Sequence, residues 1–153
     1  MRMQIRFRGP TPEEIRRKLE LLPQEVTGAA LREAALEGAE VIREQAVRNA
    51  EAIKDTGTLA EDIHVAIDER KTTNTKATAI VGPGDKGWYG RLVEYGHDIV
   101  VGGRKRGRKR GRVVGRVQPK PWLRPAGDAK RAEAEQVAMQ ALLRRLQKVW
   151  RRK

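Results

Sequence analysis

Cysteine is absent from these 153 residues, which removes disulfides and thiolate chemistry and permits a reducing compartment. Aromatic residues make up 4% of the chain. A core so poor in large rings must rest on Ala, Val and Leu, which favours helices packed through small side chains and stability gained by oligomerisation. No apolar run approaches the roughly 18 residues needed to span a bilayer. The alternating start from Met1 to Arg8 lacks the apolar core of a signal peptide, so the expectation is a soluble protein made in the cytoplasm. Histidine is limited to His64 and His97, neither with metal-like neighbours; His64 reads as a strand residue and His97 as an exposed loop residue. Gly82-Pro83-Gly84 lacks the Lys-Ser/Thr of a phosphate loop, and no nucleophile elbow or dinucleotide fingerprint is present. The acids Asp55, Glu61, Asp62, Asp68, Glu69, Asp85, Glu94 and Asp98 show no nuclease-like spacing. No catalytic residue, metal or cofactor is therefore expected, and an enzyme is disfavoured.

Positive charge is what the chain has in excess, with a formal net charge of +13. Eight Lys or Arg and no acid occupy 104–116, and six with no acid occupy 136–153, leaving 19 basic against 20 acidic side chains elsewhere. The body is thus close to neutral and the excess is confined to two patches, a footprint for a polyanion or an acidic partner. In the near repeat from Gly103 to Arg112, recurrent Gly disfavours a helix and dense like charge disfavours collapse. A basic arm at about 102–116 and a basic C-terminal tail at about 144–153 follow. Arg104, Lys105, Arg106, Arg108, Lys109, Arg110 and Arg112 are the candidate contacts for DNA or an acidic surface. Such phosphate contacts are independent of sequence and sensitive to salt. The arm has no aromatic residue to stack on bases, so single-strand readout is unsupported.

Alternation in Met3, Ile5 and Phe7 predicts a first strand, and Thr11, Pro12 and Glu14 a capped helix running to about Leu22. From about Gln24 to Ile53, Leu31, Ala35, Ala39, Ile42, Ala46, Ala50 and Ile53 recur at helical steps. Such an alanine stripe admits close approach by another backbone, from a sheet of the same chain or a neighbouring subunit. Thr58 and Glu61 suggest a second capping box. Ile63, Val65 and Ile67, then Ala77, Ala79 and Val81, predict a β-hairpin, followed by a Gly82-Pro83-Gly84 turn and a short helix from Trp88 to Tyr95 stopped by Gly96. Ile99–Val101 and Val113–Val117 read as a second hairpin with the basic segment at its tip. Helical spacing returns from Ala126 to Arg152, through Ala134, Val137, Ala138, Ala141, Leu142, Leu146, Val149 and Trp150. The fold class is α+β: a small antiparallel sheet packed against a long helix in the N-terminal half and a C-terminal helix.

Four of the six aromatic residues fall between Gly82 and Ala126. Trp88, Tyr89, Glu94, Tyr95, Trp122 and Arg124 are the candidates for a hairpin base or a subunit interface. Their segments also carry a resemblance. An alanine-rich helix precedes Asp55-Thr56-Gly57-Thr58-Leu59; then follow Ile80-Val81-Gly82, Val93-Glu94-Tyr95-Gly96 and Pro121-Trp122-Leu123-Arg124-Pro125-Ala126. In that order they resemble the head–tail joining, or tail-completion, proteins of long-tailed double-stranded DNA phages, over roughly residues 28 to 145. His97 stands where that family commonly has Thr, and Trp122 where it has Phe. The resemblance implies one joining domain over 1–153 and a non-enzymatic virion protein. It also implies a homo-oligomeric ring between the neck connector and the tail tube or terminator, with packaged DNA passing through it. A free-standing, sequence-independent DNA-binding architectural protein is the alternative that the basic patches alone would support.

Overall fold

The computed structural model describes residues 24–53, 57–102 and 111–151, with Glu13, Arg16, Arg17 and Glu20; the side chains of 24–26 and 150 lie outside that description. The expected first strand at Met3–Phe7 and the Thr11 cap also lie outside the described residues, as does the side chain of Trp150. The backbone at Glu13, Arg16, Arg17 and Glu20 is helical.

Two long helices form the body, α1 (Gln24–Ala52) and α4 (Leu123–Trp150). They run antiparallel, because Ala30 and Ala34 near the start of α1 cluster with Ala141, Leu142 and Leu146 late in α4, whereas Asn49 reaches Trp122 at the other end. Small residues set their separation. A Cβ on Gly38 would lie 2.7 Å from the Ala134 carbonyl oxygen and 2.9 Å from the Ala138 Cβ, so the helices touch almost backbone to backbone there. The alanine stripe therefore meets the C-terminal helix of the same chain at Ala30, Ala34 and Gly38, while Ala46 and Ala50 pack with Ile63 and Val81 of the strands, the sheet contact that was expected. The burial of the stripe differs in detail: Ala30 and Ala34 are buried, while Ala35 is only half-buried. Arg144 and Arg145, assigned to a basic tail on sequence, belong to α4 and pair with Glu37 at 2.5 Å and with Glu33. Half-exposed pairs of this kind contribute about 0–1 kcal/mol each; burial of Leu142 and Leu146 contributes about 1.5–3 kcal/mol per side chain.

A second cluster fills the other end of the helix pair, with Ala46, Ala50, Leu59, Ala60, Ile63, Trp122 and Ala126 buried together. The one-turn helix α2 (Thr58–Glu61) begins after Gly57, whose φ of 86° is left-handed. Gly57 is thus the N-cap, and Thr58, expected at that position, is the first residue inside the turn. Strands β1 (Ile63–Ile67) and β2 (Ala79–Pro83) pair antiparallel from Ile63↔Pro83 to Ile67↔Ala79. Gly82 and Pro83, expected in a turn, complete β2. Pro83 is tolerated there because it closes the strand.

The remaining elements are α3 (Gly90–Tyr95), β3 (His97–Val101) and β4 (Arg112–Val117). The helix α3 starts two residues later than expected, because the Gly90 amide is held by the Gly87 carbonyl in a tight turn at 2.7 Å. Gly96 ends it with φ 69°; a Cβ there would strike the Val117 carbonyl oxygen, so the chain can turn into β3 only through glycine. His97 opens β3 and is not a loop residue, although it is exposed as expected. The architecture is α+β, but with two two-stranded antiparallel sheets, β1-β2 and β3-β4, in place of one. Only β1-β2 is packed on α1; the second hairpin is exposed along both strands.

Candidate functional site

The second hairpin is anchored to the body by a junction built from α3 and the start of α4. A helix start leaves its first amide donors without internal acceptors, and in α4 these belong to Trp122, Leu123, Arg124 and residue 125. The Glu94 carboxylate takes three of them: Oε2 accepts from Trp122 N at 2.7 Å and Leu123 N at 2.9 Å, and Oε1 from Arg124 N at 3.1 Å. The fourth position is Pro125, which has no amide to satisfy. Glu94 is buried, and its negative charge sits at the positive end of the α4 dipole. The helix therefore starts at Leu123, three residues before the periodicity suggested, because its cap comes from an element 28 residues upstream. No side chain of its own segment caps it.

Trp122 seals the same junction. Its ring is 1% exposed, its indole Nε1 donates to the Gly90 carbonyl at 3.0 Å, and its own carbonyl accepts from Asn49 Nδ2 at 2.9 Å. Lys120 N donates to the Val93 carbonyl at 2.8 Å, tying the strand that leaves the hairpin back to α3. Gly90 is required by this closeness: a Cβ would lie 2.8 Å from Leu59 Cδ1 and 3.2 Å from the Trp122 ring. Around the rim, the Arg124 guanidinium lies 5.6 Å above the Tyr95 ring, within cation–π range. An open cavity of about 330 Å³ lies here, bounded by Pro83, Arg91, Tyr95, Leu123 and Arg124.

A second latch holds the loop that leads into α3. Asp62 Oδ2 accepts from Gly87 N at 2.5 Å, His64 Nε2 donates to Oδ1 at 3.1 Å, and the Asp62 carbonyl accepts from Gly84 N at 2.8 Å. The Gly87 amide bond, helped by His64 and opposed by partial desolvation, holds the Asp62 carboxyl below its ordinary value. Its carboxylate is thus occupied in structure, while His64 is exposed on β1.

Of the six aromatic-region candidates, Glu94, Tyr95, Trp122 and Arg124 converge on the junction. Tyr89 packs half-buried against the same cluster. Trp88 does not join them: it is 71% exposed and meets Tyr89 edge-on at 6.1 Å between ring centroids. Arg112 opens β4 and is exposed. Arg104, Lys105, Arg106, Arg108, Lys109 and Arg110 lie outside the described residues. Sequence reasoning missed Asp62, Asn49 and Gly38; only Gly38 left a trace, as a glycine embedded in an alanine-rich helix. Among the described residues there is no group of acids and histidines spaced to hold a metal ion, and no helix is long and apolar enough to cross a membrane.

The hairpin beyond this junction is the most unusual surface of the chain. Ile99, Val100, Val101, Val113, Val114 and Val117 are all exposed, Val101 by 58% and Val113 by 55%. The strands pair as His97↔Val117, Asp98↔Arg116, Ile99↔Gly115, Val100↔Val113 and Val101↔Arg112, with a bulge between Ile99 and Val100 of the register that leaves Val114 unopposed. Alternation then puts Ile99 and Val101 on one face with His97, and Val100 with Val113 on the other beside the Asp98–Arg116 pair, so both faces carry exposed aliphatic side chains next to charged or polar ones. Isolated two-stranded hairpins are marginal in water, and one with aliphatic side chains exposed on both faces is suited to a partner.

No curated protein and no solved structure matches the chain. One family model does, over residues 13–96, described as "Bacteriophage HK97-gp10, putative tail-component". The matched region takes in α1, the β1-β2 hairpin, the Asp62 latch and α3 with Glu94, and stops at Gly96, where the exposed hairpin begins. The chain belongs to this HK97-gp10-like family of bacteriophage tail components.

Proposed function

We propose that this tail component is a structural subunit of the phage neck or tail end, assembling as a ring that helps to join the DNA-filled head to the tail. The observation that carries the reading is the β3-β4 hairpin, a ribbon rich in exposed valine and isoleucine that is tied to the body at one junction and left uncovered by the described residues. A surface of this kind is what an assembly subunit needs and what an enzyme does not. One-directional contacts between identical subunits close into rings when the rotation permits. The neck connector on one side, and the tail tube or its terminator on the other, are the partners that such a ring would meet. Residues Arg104 to Arg112 connect β3 to β4 in sequence and supply a dense positive charge. In this reading they face packaged DNA or clamp an acidic rim of the adjacent ring. Phosphate contacts without base readout suit a channel through which DNA must slide.

The test is complementation. Heads and tails from a phage lacking this chain should accumulate separately and join when the purified chain is added, as counted by electron microscopy and by plaque titre. Particles that join equally well without it would overturn the reading. Replacing Arg104, Arg106, Arg108 and Arg110 by Ser should leave folding unchanged and lower joining or DNA retention; unchanged titre would remove the arm from the account.

A further inference from the structure

We propose that neighbouring copies of this chain are joined edge to edge through the β3-β4 hairpin, the free edge of β4 in one copy pairing antiparallel with the free edge of β3 in the next. The proposal rests on the ring reading above and specifies the surface by which the ring closes.

Among the described residues the hairpin is the whole of its sheet. Each strand therefore has an outer edge with no strand beside it among the described residues, and such edges are templates for another strand. Soluble proteins usually block them with Lys, Pro, bulges or inward charges. β3, His-Asp-Ile-Val-Val, has none of the first three. β4 carries Arg112, Arg116 and the bulge at Val114, but its arginines select a partner as much as they repel one.

Charge separates the possible pairings. Repeating the hairpin's own register across the joint puts Asp98 of one copy beside Arg116 of the next, and Val100 beside Val113. Opposite charges and paired β-branched residues facing across strands are both favourable. A two-fold joint of β3 on β3 centred on Ile99 would instead face Asp98 with Val100. One of β4 on β4 centred on Val114 would face Arg112 with Arg116, like charge on like. The matching edges are thus the two different ones, which makes the contact heterologous and lets it propagate around a closed ring. It also sets further aliphatic side chains beside the valines that the subunit alone leaves in water, and extends a ribbon that is marginal by itself.

Because the chain has no cysteine, single thiols report the joint without background. Opposed residues of an antiparallel pair stand about 4.5–5.5 Å apart, inside the Cα separation a disulfide tolerates, about 4.4–6.8 Å. Asp98→Cys and Arg116→Cys chains, one of them carrying a mass tag, are mixed at a concentration where light scattering reports an oligomer and then mildly oxidised. The expected result is a disulfide dimer containing one tagged and one untagged chain, formed in the mixture and absent when either variant is oxidised alone. An Asp98→Cys chain that links to itself, or an oligomeric mixture that does not link, overturns the edge pairing while leaving the ring standing on some other surface. A wild-type chain that stays monomeric at every concentration overturns the edge pairing too, and if it also fails to complement particle joining, the ring reading falls with it. Far-UV circular dichroism checks that each variant keeps the helical body.

Discussion

Two regions of this small subunit solve opposite problems. In the body, α1 and α4 approach until Gly38 meets Ala134, Trp122 is buried to 1%, and the orphan amides at the start of α4 are taken by Glu94 or, at Pro125, do not exist. In the hairpin, six large aliphatic side chains are exposed on two strands whose outer edges meet no other strand among the described residues. In the proposed reading, stability and assembly are carried by different residues joined at one junction: the body supplies the buried contacts, and the hairpin is tied to it through Glu94 and Trp122. Substitutions on the two sides should therefore fail differently, and their order of effect sharpens the distinction.

The largest loss should come from Trp122→Ala, which empties the centre of the second cluster and frees the Gly90 carbonyl. About 3–5 kcal/mol is expected, measured by urea unfolding. Next is Glu94→Ala, which leaves three amides at the α4 start without acceptors; about 2–3 kcal/mol is expected, with Glu94→Gln losing less because one amide oxygen still accepts. Third is Gly38→Val, which forces the helices apart at a backbone contact, at about 1–3 kcal/mol. A Val100→Thr, Val113→Thr double variant should be the mildest, within about 0.5 kcal/mol of wild type in monomer stability, yet it should lose oligomerisation. If it unfolds the chain instead, the hairpin belongs to the core and the division drawn here is wrong.

Asp62 gives a pH prediction of the same kind. Its folded-state carboxyl lies below the ordinary value of 3.8, so the native state binds a proton less readily than the unfolded chain. The stability it contributes is complete above that ordinary value and is lost as pH falls through the lower, folded one. Thermal unfolding of wild type should therefore decline more steeply below about pH 4 than that of Asp62→Asn, while the two run parallel near neutrality.

Much of the body was legible in the sequence because its signals are periodic. Alanine and leucine spacing located α1 and α4, alternation located β1 and β2, the Ile99–Val101 and Val113–Val117 runs located β3 and β4, and Gly96 marked the end of α3. What sequence could not convey was long-range satisfaction. Glu94 was singled out as a hairpin-base or interface candidate but not as a helix cap, since that role depends on amides 28 residues away; that distant cap also shifted the start of α4 from Ala126 to Leu123. Nor does periodicity say which backbone an alanine stripe admits: the sheet contact of Ala46 and Ala50 with Ile63 was among those expected, but the approach of α4 to Ala30, Ala34 and Gly38 was not. His97, Gly82 and Pro83 were misplaced for a related reason: local turn chemistry does not reveal where a ladder of strand pairing begins or ends. Trp88 and Tyr89 are adjacent in sequence, yet one is in water and the other against the core.

Amide hydrogen exchange, read separately for the isolated chain and for assembled particles or rings, tests the division between body and hairpin most directly. The account predicts slow exchange across the facing stretches of α1 and α4 in both states, and fast exchange at 97–101 and 112–117 in the isolated chain that becomes slow on assembly. Strong protection of the hairpin in the monomer, or a hairpin still exchanging freely after assembly, would contradict it.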